Sequence, residues 1–434
     1  MMLVSRRQLT PIIVAALLFF IPALILVLAD FNYSNPAAAA SDQNQHHLPG
    51  IVAFSENLTR WPSNIYSPNV PGYYLIFGAF RHWVAGSVVG LRLLNLLLTT
   101  GLVCTLTLAL LRGCPPSLAV WLAAPFAFSD SVFSRGIWLN TDNPAWWAVL
   151  AILLLALRPG LKTTGYAAAG VAAIAAVVFR QNHIWVIPFM IFVALLGPKQ
   201  QPRFERGAGR RVIAMTAIMT PALALVAWFV FQWHGLVTPR FQKVHQGFSL
   251  SSVPLTFTLI GAFGAFYATA VWAVIRERWL NDRKGFLRYA VYGFAAGICA
   301  GVCAPSGYLP WFRDHGIWLI ARFTPVFVGR SIVLALFAAF GGLTGGVFLF
   351  ISAPRDRRIF CAALIAFLMA QSMHNAEFER YYEPFVLMLL ALGTSRIISQ
   401  NRTIVPELQR PVAGLALLTV AQAGFTIWRL ATPA

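Results

Sequence analysis

The sequence predicts an all-α polytopic membrane protein crossing the bilayer about 12–13 times, on the strength of three observations. Mean hydropathy is +0.69. Charged residues make up only 11% of the chain against 58% hydrophobic, where soluble domains carry roughly 25% charge. Apolar stretches of spanning length recur from end to end, and Lys and Arg collect in alternate loops between them.

The first span reads at 11–29, behind Arg6 and Arg7. Its length of about 19 residues is long for a secretory signal and enough for a bilayer. It is therefore taken as retained, with a cytoplasmic N-terminus, although Ala37–Ala40 could resemble a cleavage site. A polar, Pro- and Asn-rich loop follows at 30–71, then an apolar segment at 72–85 interrupted by Arg81 and His82, which reads as an interfacial helix. Further spans read at 87–111, 115–133, 142–157, 163–179, 183–197, 211–233, 253–275, 286–305, 329–351, 358–374, 381–398 and 411–428.

Alternate loops hold Arg112; Arg158 and Lys162; Lys199, Arg203, Arg206, Arg210 and Arg211; Arg276, Arg278, Arg283, Lys284 and Arg288; Arg355, Arg357 and Arg358; and Arg396, Arg402 and Arg410. With Arg6 and Arg7 these are 21 of the 33 Lys and Arg residues, a bias that sets this side inward and the 30–71 loop outward. The net charge of +19 then follows from topology. No nucleic-acid motif accompanies it, and the basic loops would meet anionic lipid headgroups. No internal repeat is visible, and residues 1–434 read as one membrane domain. The five Cys lie in apolar segments or at a helix end and read as packing.

The chemistry-bearing residues sort to the outward side. Asp42, His46 and His47 place a carboxylate and two imidazoles within six residues, a set suited to taking a proton from a hydroxyl or to holding a metal. Arg92 lies within an apolar span, where a charge costs about 2.5–3.5 kcal/mol and normally faces a cavity or a partner, or snorkels to the interface. Ser129, Asp130, Arg135 and Asn140 decorate the next outward turn, and Asp142 precedes Asn143-Pro144 where an acidic residue also serves as a helix cap. Arg180, Gln181, Asn182 and His183 crowd donors into one tight turn at the depth of a lipid phosphate, to which Arg bonds in a forked geometry. Arg240, Lys243 and His245 add basic groups on the same side. His374, Glu377, Glu379, Arg380, Tyr381 and Glu383 surround a last outward turn, where helix-end salt bridging is the plain alternative.

Five segments occur in the order found in one enzyme family: Asp42 to His47-Leu-Pro49, Ser67-Pro-Asn-Val-Pro-Gly-Tyr-Tyr74, Leu91-Arg-Leu-Leu-Asn95, Phe179-Arg-Gln-Asn-His-Ile-Trp185, and the loop 234–254. They resemble the dolichyl-phosphate-glucose α-1,2-glucosyltransferase family, which has the GT-C membrane fold. The likeness covers most of the chain up to residue 254. The family carries an acidic pair three or four residues before a His-x-Pro. Here Asp42 alone stands five residues before His47, and Asp30 is the other candidate base. The turn 374–384 is closer to other GT-C transferases that use lipid-phosphate sugars.

The resemblance implies a GT-C-like bundle that moves a hexose, glucose by this likeness, from a polyprenyl- or dolichyl-phosphate donor. The acceptor is a hydroxyl on a lipid-linked or surface glycan, and the anomeric centre inverts. Asp42, with His46 and His47, would serve catalysis. Arg92, Arg180, Arg240 and Arg380 would hold the donor phosphate. Asp142, Gln181, Asn182, His183, Lys243, His245, Glu377, Tyr381 and Glu383 would line the substrate site. The resemblance assigns no certain cofactor, and a divalent cation stays open. The rival class is a transporter or flippase of lipid-linked saccharides. The polar residues concentrate at span ends rather than at mid-membrane, which favours the enzyme.

Overall fold

The computed structural model describes residues 6–29, 41–58, 67–196, 207–245, 247–303, 325–374, 378–404 and 412–431. In chain order the principal elements are α1 (Arg6–Leu28), α2 (Leu48–Glu56, entered through the π-turn Gln43–His47), α3 (Gly72–Trp83), α4 (Val88–Leu110), α5 (Pro116–Ala127), α6 (Asp130–Ile137), α7 (Asp142–Ala156), α8 (Thr163–Phe179), α9 (Val186–Leu196), α10 (Ala208–Trp233), α11 (Ser252–Thr269), α12 (Trp272–Asn281), α13 (Arg283–Cys303), the two-residue strands β1 (Val326–Phe327) and β2 (Arg330–Ser331), α14 (Ile332–Ile351), α15 (Pro354–Gln371), α16 (Glu383–Gln400) and α17 (Val412–Ala431). Among the described residues seven helices are long and apolar enough to cross a membrane: Leu9–Leu28, α4, α10, α11, Arg283–Val302, α14 and α17. The chain is an all-α, multi-pass integral membrane protein. The pair α5 and α6 would count as an eighth crossing, and α7, α8 and Gln181–Leu196 are shorter apolar helices.

Several boundaries differ from those read in the sequence. The 30–71 loop contains a helix, because Gln43, His47, Gly50, Ile51 and Phe54 are buried at helical spacing along 43–56. The stretch 115–133 is broken at Phe128-Ser129, where the Ser129 hydroxyl donates back to the Phe126 carbonyl (3.1 Å). The 253–275 stretch divides into α11 and α12. The short helix at 72–85 is present as α3, burying Tyr73, Tyr74, Phe77 and Gly78 on one face while Trp83 is exposed.

The described residues gather into two compact units. One comprises 6–15, 106–131 and 247–424. Its centre is α14, whose glycines let it lie backbone-to-backbone on two neighbours. Gly341 faces Phe257 and Gly261 of α11, and Gly342 faces Gly293 and Gly297 of α13. Arg357 closes the far end of α14, donating to the carbonyls of Leu349 (2.6 Å), Phe350 (3.1 Å) and Ser352 (3.3 Å) that the helix leaves unmet. Asp356 accepts from Arg396 Nε (2.9 Å) and Gln400 Nε2 (2.6 Å), joining α15 to α16.

The other unit comprises 16–29, 41–105, 132–245 and 425–431, within the described residues. In it α7, α8, α9 and α10 pack together and α2 lies on α3. Ile51, Phe54, Val70, Tyr73, Tyr74, Phe77, Leu91, Leu139, Phe229 and Trp233 form its core beneath the polar residues described next.

A side chain at position 342 would collide with the Gly293 carbonyl and stand 2.9 Å from the Gly297 Cα, whereas one at Gly345 would meet nothing within 4 Å. Gly342→Val should therefore lower the unfolding midpoint in detergent, with overpacking costing about 1–3 kcal/mol. Gly345→Ala should leave it within experimental error; equal effects would show that close approach is not what α14 needs.

Candidate functional site

The second unit holds a layer of polar side chains that are almost all removed from solvent. The π-turn entering α2 sets its first wall. An extra residue in that turn brings Asp42, Gln43, His46 and His47 onto the layer within little more than one turn. Arg92 and Asn95, one turn apart on α4, enter from a second side, and both are fully buried. The segment Arg135–Asn143 and the turn Arg180–Trp185 close the remainder.

Arg92 finds partners inside the protein rather than at an interface. Its Nε donates to Gln43 Oε1 (3.1 Å), and its guanidinium lies 4.0 Å from the centre of the Trp138 ring. Gln43 Oε1 also accepts from the Leu139 N–H (3.1 Å). Asn95 Nδ2 donates to the carbonyls of Arg135 (2.7 Å), Gly136 (3.1 Å) and Trp138 (2.8 Å), fixing the turn after α6. Asn143 Nδ2 does the same for the Val132 carbonyl (2.8 Å) and reaches Thr99 Oγ1 (3.0 Å).

Two ion pairs stand in this frame. Asp42 Oδ2 accepts from Arg135 Nη1 (2.9 Å), with the Asp42 side chain 22% exposed. Asp142 pairs with Arg180, and here the carboxylate is 1% exposed. Asp142 thus does not act as the helix cap that its position suggests. The Asn140 Oδ1 takes the Asp142 N–H (2.8 Å), Thr141 makes no side-chain cap, and the Asp142 carboxylate turns to Arg180.

Tyr74 sits electrostatically within reach of both Arg180 and Asp42. Burial pushes its phenol well above the usual range, so the hydroxyl stays neutral and shares a hydrogen bond with His47 Nδ1 (2.9 Å).

The Arg180–His183 turn divides its labour. Gln181 is a brace: it accepts from the Val70 N–H (3.2 Å) and donates to the carbonyls of Pro68 (2.6 Å) and Leu236 (3.1 Å). Asn182 is half-buried. His183 is buried with its ring 4.5 Å from that of Trp146. Neither of its ring nitrogens has a hydrogen-bond partner among the described residues. The His46 ring contacts Phe241, which in turn contacts His245, while Arg240 and Lys243 are exposed.

Arg380, Tyr381 and Glu383 belong to the first unit. Arg380 lies over the rings of Phe378 (4.7 Å) and Tyr381 (5.2 Å). Glu383 is buried at the start of α16, accepting from Ser131 and from Gln422 Nε2 (2.9 Å). His374 shares a hydrogen bond with Gln371 (2.7 Å). Glu377 and Asp30 lie outside the described residues. No group of three or more His, Cys, Asp or Glu side chains that would hold a metal ion occurs among the described residues.

The structure adds Gln43 and Trp138 to the residues read from the sequence, and it gives contacts within the layer to Arg135 of the outward turn and to Tyr74 and Asn95, which stood there only as ends of family-like segments. Asn95 carries a sequence signal, an amide inside an apolar span one turn from an arginine. Gln43 carries none. Protein-family models, curated proteins and solved structures were all compared with the chain, and none matches it.

Replacing Asn95 by Leu would leave three buried carbonyls short of a donor. Asn95→Leu should lower stability by about 1–3 kcal/mol. Thermal unfolding of the detergent-purified variant measures this, and an unchanged midpoint would mean that the 135–138 turn holds without the amide.

Proposed function

We propose that this chain is an integral-membrane glycosyltransferase of the GT-C type. It would move a hexose from a polyprenyl-phosphate carrier to an acceptor hydroxyl on the extracytoplasmic face. The observation that carries this reading is the polar layer of the second unit. It brings Arg92, Arg135 and Arg180 together with two carboxylates, of which Asp42 is the open one. A set of guanidinium groups held away from water suits a phosphate whose charge grows as the sugar departs. An accessible carboxylate beside it suits removal of the acceptor proton.

In this reading the acceptor oxygen attacks the anomeric carbon as its proton passes to Asp42. The bond between that carbon and the phosphate oxygen breaks, its electron pair stays on the phosphate, and configuration inverts. The phosphate leaves already ionised, so no general acid is needed. Arg180 is the guanidinium whose charge reaches the buried His183, and Arg92 and Arg135 would add positive charge to the layer. Glucose is the sugar favoured by the resemblance of the 42–49, 67–74 and 179–185 segments. Arg380, Tyr381 and Glu383 are not required by this layer.

Reconstitution in liposomes with synthetic polyprenyl-phosphate glucose or mannose and a soluble glycoside acceptor tests the reading. Transfer should be measurable with one donor, and Asp42→Asn should reduce it about 10²–10⁴-fold while the protein stays folded, as expected when a general base is lost. An Asp42→Asn enzyme with near-normal turnover would move the base elsewhere.

The same reading needs Asp42 on the extracytoplasmic side, as the Lys and Arg bias predicts. A single Cys introduced at Ser41 in a background without the native cysteines should react with an impermeant maleimide added to intact cells. Labelling solely from the cytoplasmic side would reverse the topology and remove the active site from that face.

A further inference from the structure

Asp142 and Arg180 form a pair whose two members differ in what else holds them. Asp142 is the first residue of α7, so its carboxylate lies at the positive end of a 15-residue helix whose N-cap residue, Thr141, makes no side-chain cap and accepts instead from Asn69 Nδ2 (3.1 Å). A carboxylate there stays in the favourable field of its own helix terminus when it turns away from Arg180. Arg180 is 7% exposed and follows the end of α8 in extended conformation, so it cannot extend into water to recover its hydration. Beside them His183 is 1% exposed, with both ring nitrogens lacking a hydrogen-bond partner among the described residues. It packs on Trp146, one turn along α7 from Asp142, and lies within electrostatic reach of Arg180.

Leaving a buried ring N–H or lone pair unmet costs about 1–3 kcal/mol. Such a group next to an ion pair with a movable anion marks a place where a further polar ligand fits. We infer that Arg180, Asp142 and His183 form an anion-exchange pocket: a phosphoryl group replaces the Asp142 carboxylate on Arg180 and accepts a hydrogen bond from the His183 ring, while Asp142 turns to the N-terminus of α7. Asp142 is thus a built-in competitor that keeps Arg180 neutralised when no phosphate is bound. The inference rests on the proposed use of a phosphate-bearing substrate, but concerns its binding and not the transfer step.

The test is calorimetric titration of the full chain in neutral detergent with dodecyl phosphate and, separately, inorganic phosphate. Asp142→Asn should bind dodecyl phosphate about tenfold more tightly, because removing an internal competitor raises the fraction of competent sites. His183→Ala should bind it about tenfold more weakly, and His183→Gln, which keeps a donor, should recover part of the loss. Tighter binding of dodecyl phosphate than of inorganic phosphate assigns the ligand to the membrane, and equal binding assigns it to solution. Both support the exchange. Unchanged or weaker binding by Asp142→Asn overturns it and leaves Asp142 a structural partner of Arg180.

Should Asp142→Asn not fold, the wild-type protein still decides. With ¹⁵N-labelled histidine, and His183→Gln for assignment, dodecyl phosphate should shift the His183 ring signal, and its failure to do so overturns the pocket. Transfer activity that depends on Asp42, together with no such shift, would sink the exchange while leaving the transferase reading standing.

Discussion

A charge held away from water must be answered by other groups of the protein, and that requirement shapes the second unit. Arg92 is the sharpest case, a guanidinium at zero exposure and the sole charged residue of a helix rich in Leu, Val and Thr. Removing one partner of a buried charge typically costs about 3–5 kcal/mol, so its partners are held as firmly as the apolar core. Its partners include Trp138, on the turn after α6, and Gln43, on the π-turn before α2. Gln43 also takes the Leu139 N–H, so a single amide ties α4, the 138–139 turn and the 41–56 segment together. The position of Asp42 follows from its neighbour: with Gln43 fixed, the carboxylate one residue earlier is delivered to Arg135.

Amides and ions have different parts in this layer. Asn95 and Gln181 spend their amide donors on backbone carbonyls and hold turns that no regular structure would hold, while Asn143 divides its own between a carbonyl of α6 and the Thr99 hydroxyl. Such neutral groups lose little by being fully committed. Four of the ionised groups are arranged in pairs, Asp42 with Arg135 and Asp142 with Arg180, whose partners sit on different segments. A pair of that kind stabilises the empty protein and can still trade one member for an incoming ion. Neutral brackets with ionic contents give a site that is rigid in outline and adjustable in charge.

Much of this was legible in the sequence, and the physical reason for what was not is specific. Composition and hydropathy sufficed for an all-α membrane protein, because a bilayer admits few other solutions. An arginine inside an apolar span announced that a partner exists, and the crowding of donors at 180–183 announced a polar site. The identity of the partners was hidden. Gln43 is neutral and lies in a stretch rich in Asn, Gln and Pro that reads as a solvated loop, and its helix shows only through the spacing of residues 43, 47, 50, 51 and 54. Asp142 looked like a cap because sequence shows the helix start beside it but not Arg180 across space. The break at Phe128-Ser129 was obscured since both flanking segments are apolar enough to read as one span.

Under the proposed reading the charges of the layer also constrain the chemistry. Among its described residues stand three guanidinium groups, Arg92, Arg135 and Arg180, and two carboxylates, Asp42 and Asp142. These five formal charges sum to +1, and a sugar linked through a phosphodiester brings one negative charge. The complete site is then neutral, the cheapest state for a region shielded from water. After transfer the carrier is a phosphate monoester bearing two negative charges, but Asp42 has meanwhile accepted the acceptor's proton. Three positive charges then face the Asp142 carboxylate and a doubly charged phosphate, and the sum is again zero. Were Asp42 to stay ionised while the proton left by another route, the departing phosphate would leave an excess negative charge in a low-dielectric site. The need for a base therefore arises from the burial of the arginines as much as from the acceptor hydroxyl, and it favours a carboxylate inside the network over one supplied from the solvent side.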